Sequence, residues 1–105
     1  MPATAVGEFE LVVLVTILRL DDDAYGLTIR REIAACTGRE PASGAVYTTL
    51  ARLEEKGLLS SRYRDAIEQR AGRQKRFFQL SAKGLKTVTD THRTLTRLFD
   101  GAFRA

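Results

Sequence analysis

Ser43-Gly44-Ala45-Val46-Tyr47-Thr48-Thr49-Leu50-Ala51-Arg52-Leu53-Glu54-Glu55-Lys56-Gly57-Leu58-Leu59 is the stretch from which the rest of the chain can be read. Val46, Leu50 and Leu53 recur at spacings of four and three, the period of a helix with one buried stripe. Gly57 is placed to end that helix, because glycine adopts the left-handed terminal conformation at little steric cost. The chain then passes without a linker into residues 58–64, which read as a strand. Residues 75–80 read as its antiparallel partner, with Phe77 or Phe78 turned inward. Between them, residues 65–74 form a polar turn holding Arg70, Gly72 and Arg73, too long for a two-residue hairpin loop.

With Val46, Leu50 and Leu53 turned inward, Gly44, Tyr47, Thr48, Ala51 and Arg52 fall on or beside the exposed face, and Ser43 stands at its start. These side chains are small, hydroxylic, aromatic or cationic. Such a face can approach a major groove closely and offer donors to phosphates and base edges. Arg70, Arg73, Lys75 and Arg76 cluster on the hairpin, where each neutralised phosphate would add salt-dependent affinity with little sequence preference. Thr48 and Arg52 are the candidates for base edges, Ser43 and Tyr47 for the backbone. A helix followed by a hairpin with a cationic tip is the arrangement of a winged helix-turn-helix.

Upstream, residues 9–20 have almost no polar side: Phe9, Val13 and Leu20 share one face, while Leu11, Leu14 and Leu18 cover the other. The valines would also fit a strand; length and the flanking Glu8 and Arg19 favour a helix. A helix apolar all round must be buried all round, so one face is expected to meet a second subunit. Asp21-Asp22-Asp23 should close this helix and cap the next, residues 25–37, with Ile29, Ile33 and Cys36 inward. Gly38 reads as the terminator of that second helix, and Pro41 prevents its continuation. Downstream, Ser81 should cap a last helix in which Leu85, Val88, His92, Leu95, Phe99 and Ala102 follow a coiled-coil rhythm. That stripe could cover its own domain; its length favours a two-chain interface formed with Leu11, Leu14 and Leu18. His92 is then a packed polar residue of the seam. The expected organisation is a flexible 1–7, a winged helix-turn-helix over 8–80 and a dimerisation helix over 81–103 in the same compact unit. The fold class is mainly α with a small antiparallel β-hairpin.

Bulk properties narrow the field. At 105 residues and 44% apolar composition, the chain suits one folded domain with a modest core. The formal charge of +4 is unevenly spread, with six basic residues and no acidic one from Arg70 to Lys86. That asymmetry suits a polyanion, although a merely solvated surface would also carry it. One cysteine allows no disulfide within the chain and no cysteine-based zinc site. The aspartate run lacks the alternating ligands and the glutamate of a calcium loop. No metal or other cofactor is therefore expected. The apolar segment 11–20 is too short to span a bilayer, and Met1-Pro2-Ala3 lacks the basic start of a secretory signal; the expected location is the cytoplasm. No phosphate-binding glycine loop or paired carboxylate motif appears, which argues against an enzyme. A winged helix used as a protein-interaction module is the second reading, and Glu54 and Glu55 at the end of the third helix are its one support.

These residues resemble the PadR family of winged-helix transcriptional regulators. The matching pieces are Tyr25-Gly26-Leu27-Thr28-Ile29-Arg30, the third helix from Gly44 to Glu54, Gly57-Leu58-Leu59, and Gly72-Arg73-Gln74-Lys75-Arg76-Phe77-Phe78-Gln79-Leu80-Ser81-Ala82-Lys83-Gly84. Phe77 or Phe78 stands where many members have a tyrosine, and Ser81 where they have a threonine. The resemblance implies a dimeric regulator of double-stranded DNA, usually a repressor, whose last helix crosses to its partner. It also implies a DNA-surface role for Tyr47 and backbone contacts from the wing. Some members respond to a phenolic or flat hydrophobic effector, although no residue here identifies a pocket for one. Two copies would read a palindromic site with half-sites about 34 Å apart.

Overall fold

The computed structural model describes residues 6–65 and 74–104. Helix α1 (Glu8–Leu20) leads through a short 3-10 turn (Asp21–Asp23) to α2 (Gly26–Thr37) and α3 (Ser43–Glu55). An antiparallel hairpin of β1 (Leu59–Asp65) and β2 (Gln74–Leu80) follows, and α4 (Ala82–Phe99) completes the fold. The winged helix-turn-helix with an appended long helix is therefore the architecture.

Each helix boundary has a local cause. The Gly7 amide donates to Glu10 Oε1 at 2.8 Å, closing the first turn of α1. With Val6 packed against the core, the chain is held from at least residue 6, so the expectation of a flexible 1–7 fails at its last two positions. Residues 1–5 lie outside the described residues. The aspartate run does not cap α2 with its carboxylates, as the sequence suggested. Asp21 instead turns the chain at φ 56°, and Thr28 closes the α2 start by accepting from the Tyr25 amide at 2.9 Å and donating to the Asp23 carbonyl at 2.6 Å. Gly38 and Gly57 both take left-handed φ values, 75° and 76°, and terminate α2 and α3. Ser81 caps α4, its Oγ accepting from the Gly84 amide at 3.0 Å.

Val13, Leu14, Ile17, Ile29, Ile33, Val46, Leu50, Leu53 and Leu58 form the centre of the core and are essentially inaccessible. Three helices and the root of the hairpin thus share one apolar interior. Cys36 departs from expectation: it is exposed, its Sγ 3.5 Å from Glu32 Oε2. By helical angle it belongs to the inner stripe, but residues 35–38 are exposed throughout, because this last turn of α2 projects past the core. Both hairpin phenylalanines are buried, on opposite faces. Phe78 joins the main core, while Phe77 pairs with Tyr25 in a separate small cluster. The Phe78 amide donates to the Ala24 carbonyl at 2.8 Å, which fastens the hairpin to the chain entering α2.

The proximal part of α4 docks closely. Gly84 lies so near the Leu58 carbonyl that a Cβ there would collide with it, and Val88 is buried. Beyond Thr91 the helix is exposed. The radius of gyration, 15.0 Å, exceeds the ~13 Å usual for a compact domain of this size, in keeping with a projecting α4. Helix geometry ends at Phe99, so Ala102 lies in a following turn and drops out of the helical seam. Leu14 also departs from the expected interface: it is wholly buried in its own core, because α1 turns Val13, Leu14 and Ile17 inward together. Among the described residues, no helix is long and apolar enough to cross a membrane.

Candidate nucleic-acid interface

Helix α3 buries Val46, Thr49, Leu50 and Leu53. At ~3.6 residues per turn, the opposite strip carries Gly44, Thr48, Ala51 and Glu55, all exposed. Tyr47 flanks this strip on one side and Arg52 on the other. Ser43 is half-buried at the helix start. The strip is nearly flat at its N-terminal end, since Gly44 has no side chain and open space around it. The threonines divide by role: Thr49 is buried and donates to the Ala45 carbonyl at 2.8 Å, leaving Thr48 to face outward.

Tyr47 is 56% exposed, yet its ring is not loose. It lies across Gly26, the first residue of α2, close enough to leave no room for a methyl group there. Next to Gly26, the Tyr25 ring meets Phe77 of the hairpin at a centroid distance of 5.0 Å. The Arg64 guanidinium in turn stacks on the other ring of that pair, 3.7 Å from the Phe77 centroid. Guanidinium, phenyl and phenol thus form a chain of contacts from the wing to the start of α2, the two rings tilted by 58°.

The hairpin register sorts its cations onto two faces. Arg62 and Arg64 alternate with Ser61 and Tyr63 and share a face with Lys75 and Phe77, their cross-strand partners. Arg76 belongs to the opposite face. There its Nε donates to Ser61 Oγ at 2.9 Å and its Nη2 to Glu54 Oε1 at 2.5 Å. Ser61 Oγ also donates to Glu54 Oε2 at 2.8 Å. Any phosphate reaching Arg76 must compete with that carboxylate. Arg70 and Arg73, the other wing cations named from sequence, lie outside the described residues. Sequence reading passed over Arg62 and Arg64; period-two alternation along residues 58–64 was the signal that could have found them.

At the far end of α3, Lys56 Nζ bonds both oxygens of the buried Glu10 carboxylate at 2.9 Å. Burial there favours the neutral acid, but the Gly7 amide, the Lys56 ammonium and the nearby Arg52 charge together hold the Glu10 pKa below its ordinary value. Arg52 therefore stands on the flank of α3 nearer α1, and its field serves the protein's own carboxylate as well as the outer surface.

The remaining sequence-derived residues meet on another side. Leu11, Val15 and Leu18 of α1 face Val88, Thr89, His92 and Leu95 of α4 across an open apolar groove of about 380 Å³. Leu18 and Leu85 are about half exposed, at 47% and 48%, and Phe99 is also exposed. His92 lies at the groove wall and is itself exposed. Among the described residues, no group of three or more histidine, cysteine or acidic side chains could hold a metal ion.

Comparison with known proteins agrees with this geometry. No curated protein matches the chain significantly in sequence. Among solved structures, the protein in the complex of hsRosR with S4 is 26% identical, with a TM-score of 0.69 over 92% of this chain and 77% of that one. A PadR-like transcriptional regulator from Bacillus cereus shares the fold at a TM-score of 0.73 and 14% identity, over 92% of each chain. A winged-helix DNA-binding protein from STIV does so at 0.70 and 16%, over 91% of this chain and 96% of that one. Residues 13–90 match the transcriptional regulator PadR-like family, a family of regulators and not of enzymes. This chain belongs to the PadR-like family of transcriptional regulators.

Proposed function

We propose that the protein is a homodimeric, sequence-specific binder of double-stranded DNA that represses transcription from a two-fold symmetric operator. The observation that carries this reading is the exposed strip of α3. Gly44, Thr48 and Ala51 form a low, hydroxyl-bearing surface flanked by Tyr47 and Arg52, and the hairpin gathers Arg62, Arg64 and Lys75 on one of its faces, near Asp21 and Asp22. Small side chains let a helix backbone approach base edges, and flanking cations hold phosphates on either side. Thr48 and Arg52 are assigned to base edges, Ser43 and Tyr47 to the backbone. Arg62, Arg64, Lys75 and the tip residues Arg70 and Arg73 are assigned to phosphates. Arg76 serves mainly to brace the wing against Glu54.

Two copies pair through the apolar groove between α1 and α4, using Leu11, Leu18, Leu85, Val88, His92, Leu95 and Phe99. A flat hydrophobic or phenolic effector would enter between the two copies at this same surface.

Selection of bound duplexes from a random library tests the whole reading. The expected result is enrichment of a palindrome whose half-sites repeat at about 34 Å. No retained duplex at low salt would overturn it in favour of a protein-interaction module. The acidic patch that such a module would use is weakened here, since Arg76 already neutralises Glu54.

A further inference from the structure

We infer that Gly26, at the start of α2, is a positioning residue for DNA binding that acts through Tyr47; the inference rests on the proposed binding of duplex DNA by α3. A methyl group at position 26 would lie 2.7 Å from Tyr47 Cζ and closer still to its hydroxyl, well inside the ~3.5–4.0 Å of an ordinary carbon contact. Gly26 does not need glycine's conformational freedom, because it is not among the residues with positive φ. Alanine would also be the better helix former. What glycine provides is the floor on which the phenol rests.

The consequences of filling that floor fall on one side chain. Tyr47 is 56% exposed, and the atoms an alanine would strike are the far end of its ring. The ring can therefore swing outward while the surrounding core stays as it is. The floor itself is rigid: Thr28 bonds both the Tyr25 amide and the Asp23 carbonyl, and Tyr25 is packed on Phe77. Tyr47 is thus held at a fixed height beside the exposed strip of α3, and its hydroxyl is set at the amino end of α2. There the phenolic hydroxyl can donate to a phosphate oxygen of the duplex. Raising the ring would obstruct the approach of the duplex to Gly44 and Thr48 and would remove the hydroxyl from that phosphate.

Two measurements test this. In the free protein, NOEs between the Gly26 α-protons and the Tyr47 ring protons should be present, and in Gly26→Ala the ring should lose its contacts with the start of α2. On the duplex recovered by selection, Gly26→Ala should weaken binding about tenfold with no fall in the unfolding midpoint. Gly26→Ala should add nothing further in a Tyr47→Ala background. Losses that simply add in the double variant, or unaltered binding by Gly26→Ala, would overturn the positioning role. A fall in stability that accounts for the weakened binding would do the same. If the wild-type protein binds no duplex, the DNA-binding reading fails instead, and the NOE measurement still decides whether Gly26 sets the ring.

Discussion

Glu10 is a charged group whose burial is made tolerable by two donors, the Gly7 amide and the Lys56 ammonium. Because its pKa is lowered in the folded protein, its charge stabilises the fold above the ordinary glutamate value. That contribution disappears as pH falls through the lowered folded value. Glu10→Gln should therefore lose ~1–3 kcal/mol of stability at neutral pH, and the gap from wild type should narrow in acid. Urea denaturation across pH checks this; a gap independent of pH would mean the ion pair contributes nothing. Arg64 belongs to the same scale. Its stacking on Phe77 fixes a cation that would otherwise sample many rotamers. Arg64→Ala should weaken duplex binding and lower the slope of log affinity against log salt by about one. Arg64→Lys should recover the slope but only part of the affinity, since an ammonium does not stack as a planar guanidinium does. Neither residue's part was legible in the sequence. Glu10 and Lys56 lie 46 positions apart, and the pairing of Arg64 with Phe77 depends on hairpin register.

At the scale of elements, two glycines with opposite surroundings separate packing from recognition. Gly84 abuts the Leu58 carbonyl where α4 crosses the root of the hairpin, and a backbone atom cannot rotate aside. Gly84→Ala should cost about 1–3 kcal/mol, seen as a lower denaturation midpoint with α4 loosened from the core. Gly44 faces open space in the exposed strip of α3. Gly44→Ala should leave stability unchanged or raise it by up to ~1 kcal/mol, while reducing affinity for the selected duplex, because the added methyl stands between helix and groove. Equal affinity for the two proteins would remove this end of α3 from the contact surface. The helices themselves could be read from sequence, since the 3.6-residue rhythm, Gly38, Gly57 and Ser81 act within a few residues of one another. The capping of α2 could not, because Thr28 closes that turn in preference to the three carboxylates that precede it.

For the molecule as a whole, the telling feature is that α1 and α4 leave apolar side chains uncovered along a shared groove while α4 projects beyond the core. Leu18, Leu95, Leu98 and Phe99 are exposed by 37% to 67%, and large exposed apolar side chains that gather in one place mark an interaction surface. Replacing Leu18 and Leu95 together by glutamate should convert a dimer to a monomer in sedimentation equilibrium. Affinity for the palindromic duplex should fall far more than affinity for a single half-site, because the two half-sites are no longer linked. A double variant that stays dimeric would move the interface elsewhere.

Sequence by itself determined the succession of elements, the buried stripe of α3 with Ile29 and Ile33 of α2, and the chemical character of the α3 surface, because periodicity and terminator residues are local properties. Only the tertiary structure decided which apolar residues are spent in the core, such as Leu14, and which remain for a partner, such as Leu18. It alone seated Tyr47 on Gly26, tied Arg76 to Glu54 and brought Arg64 onto Phe77. The physical reason is common to all of these: each depends on the height and register at which two elements meet, and those are set by close packing across the whole chain.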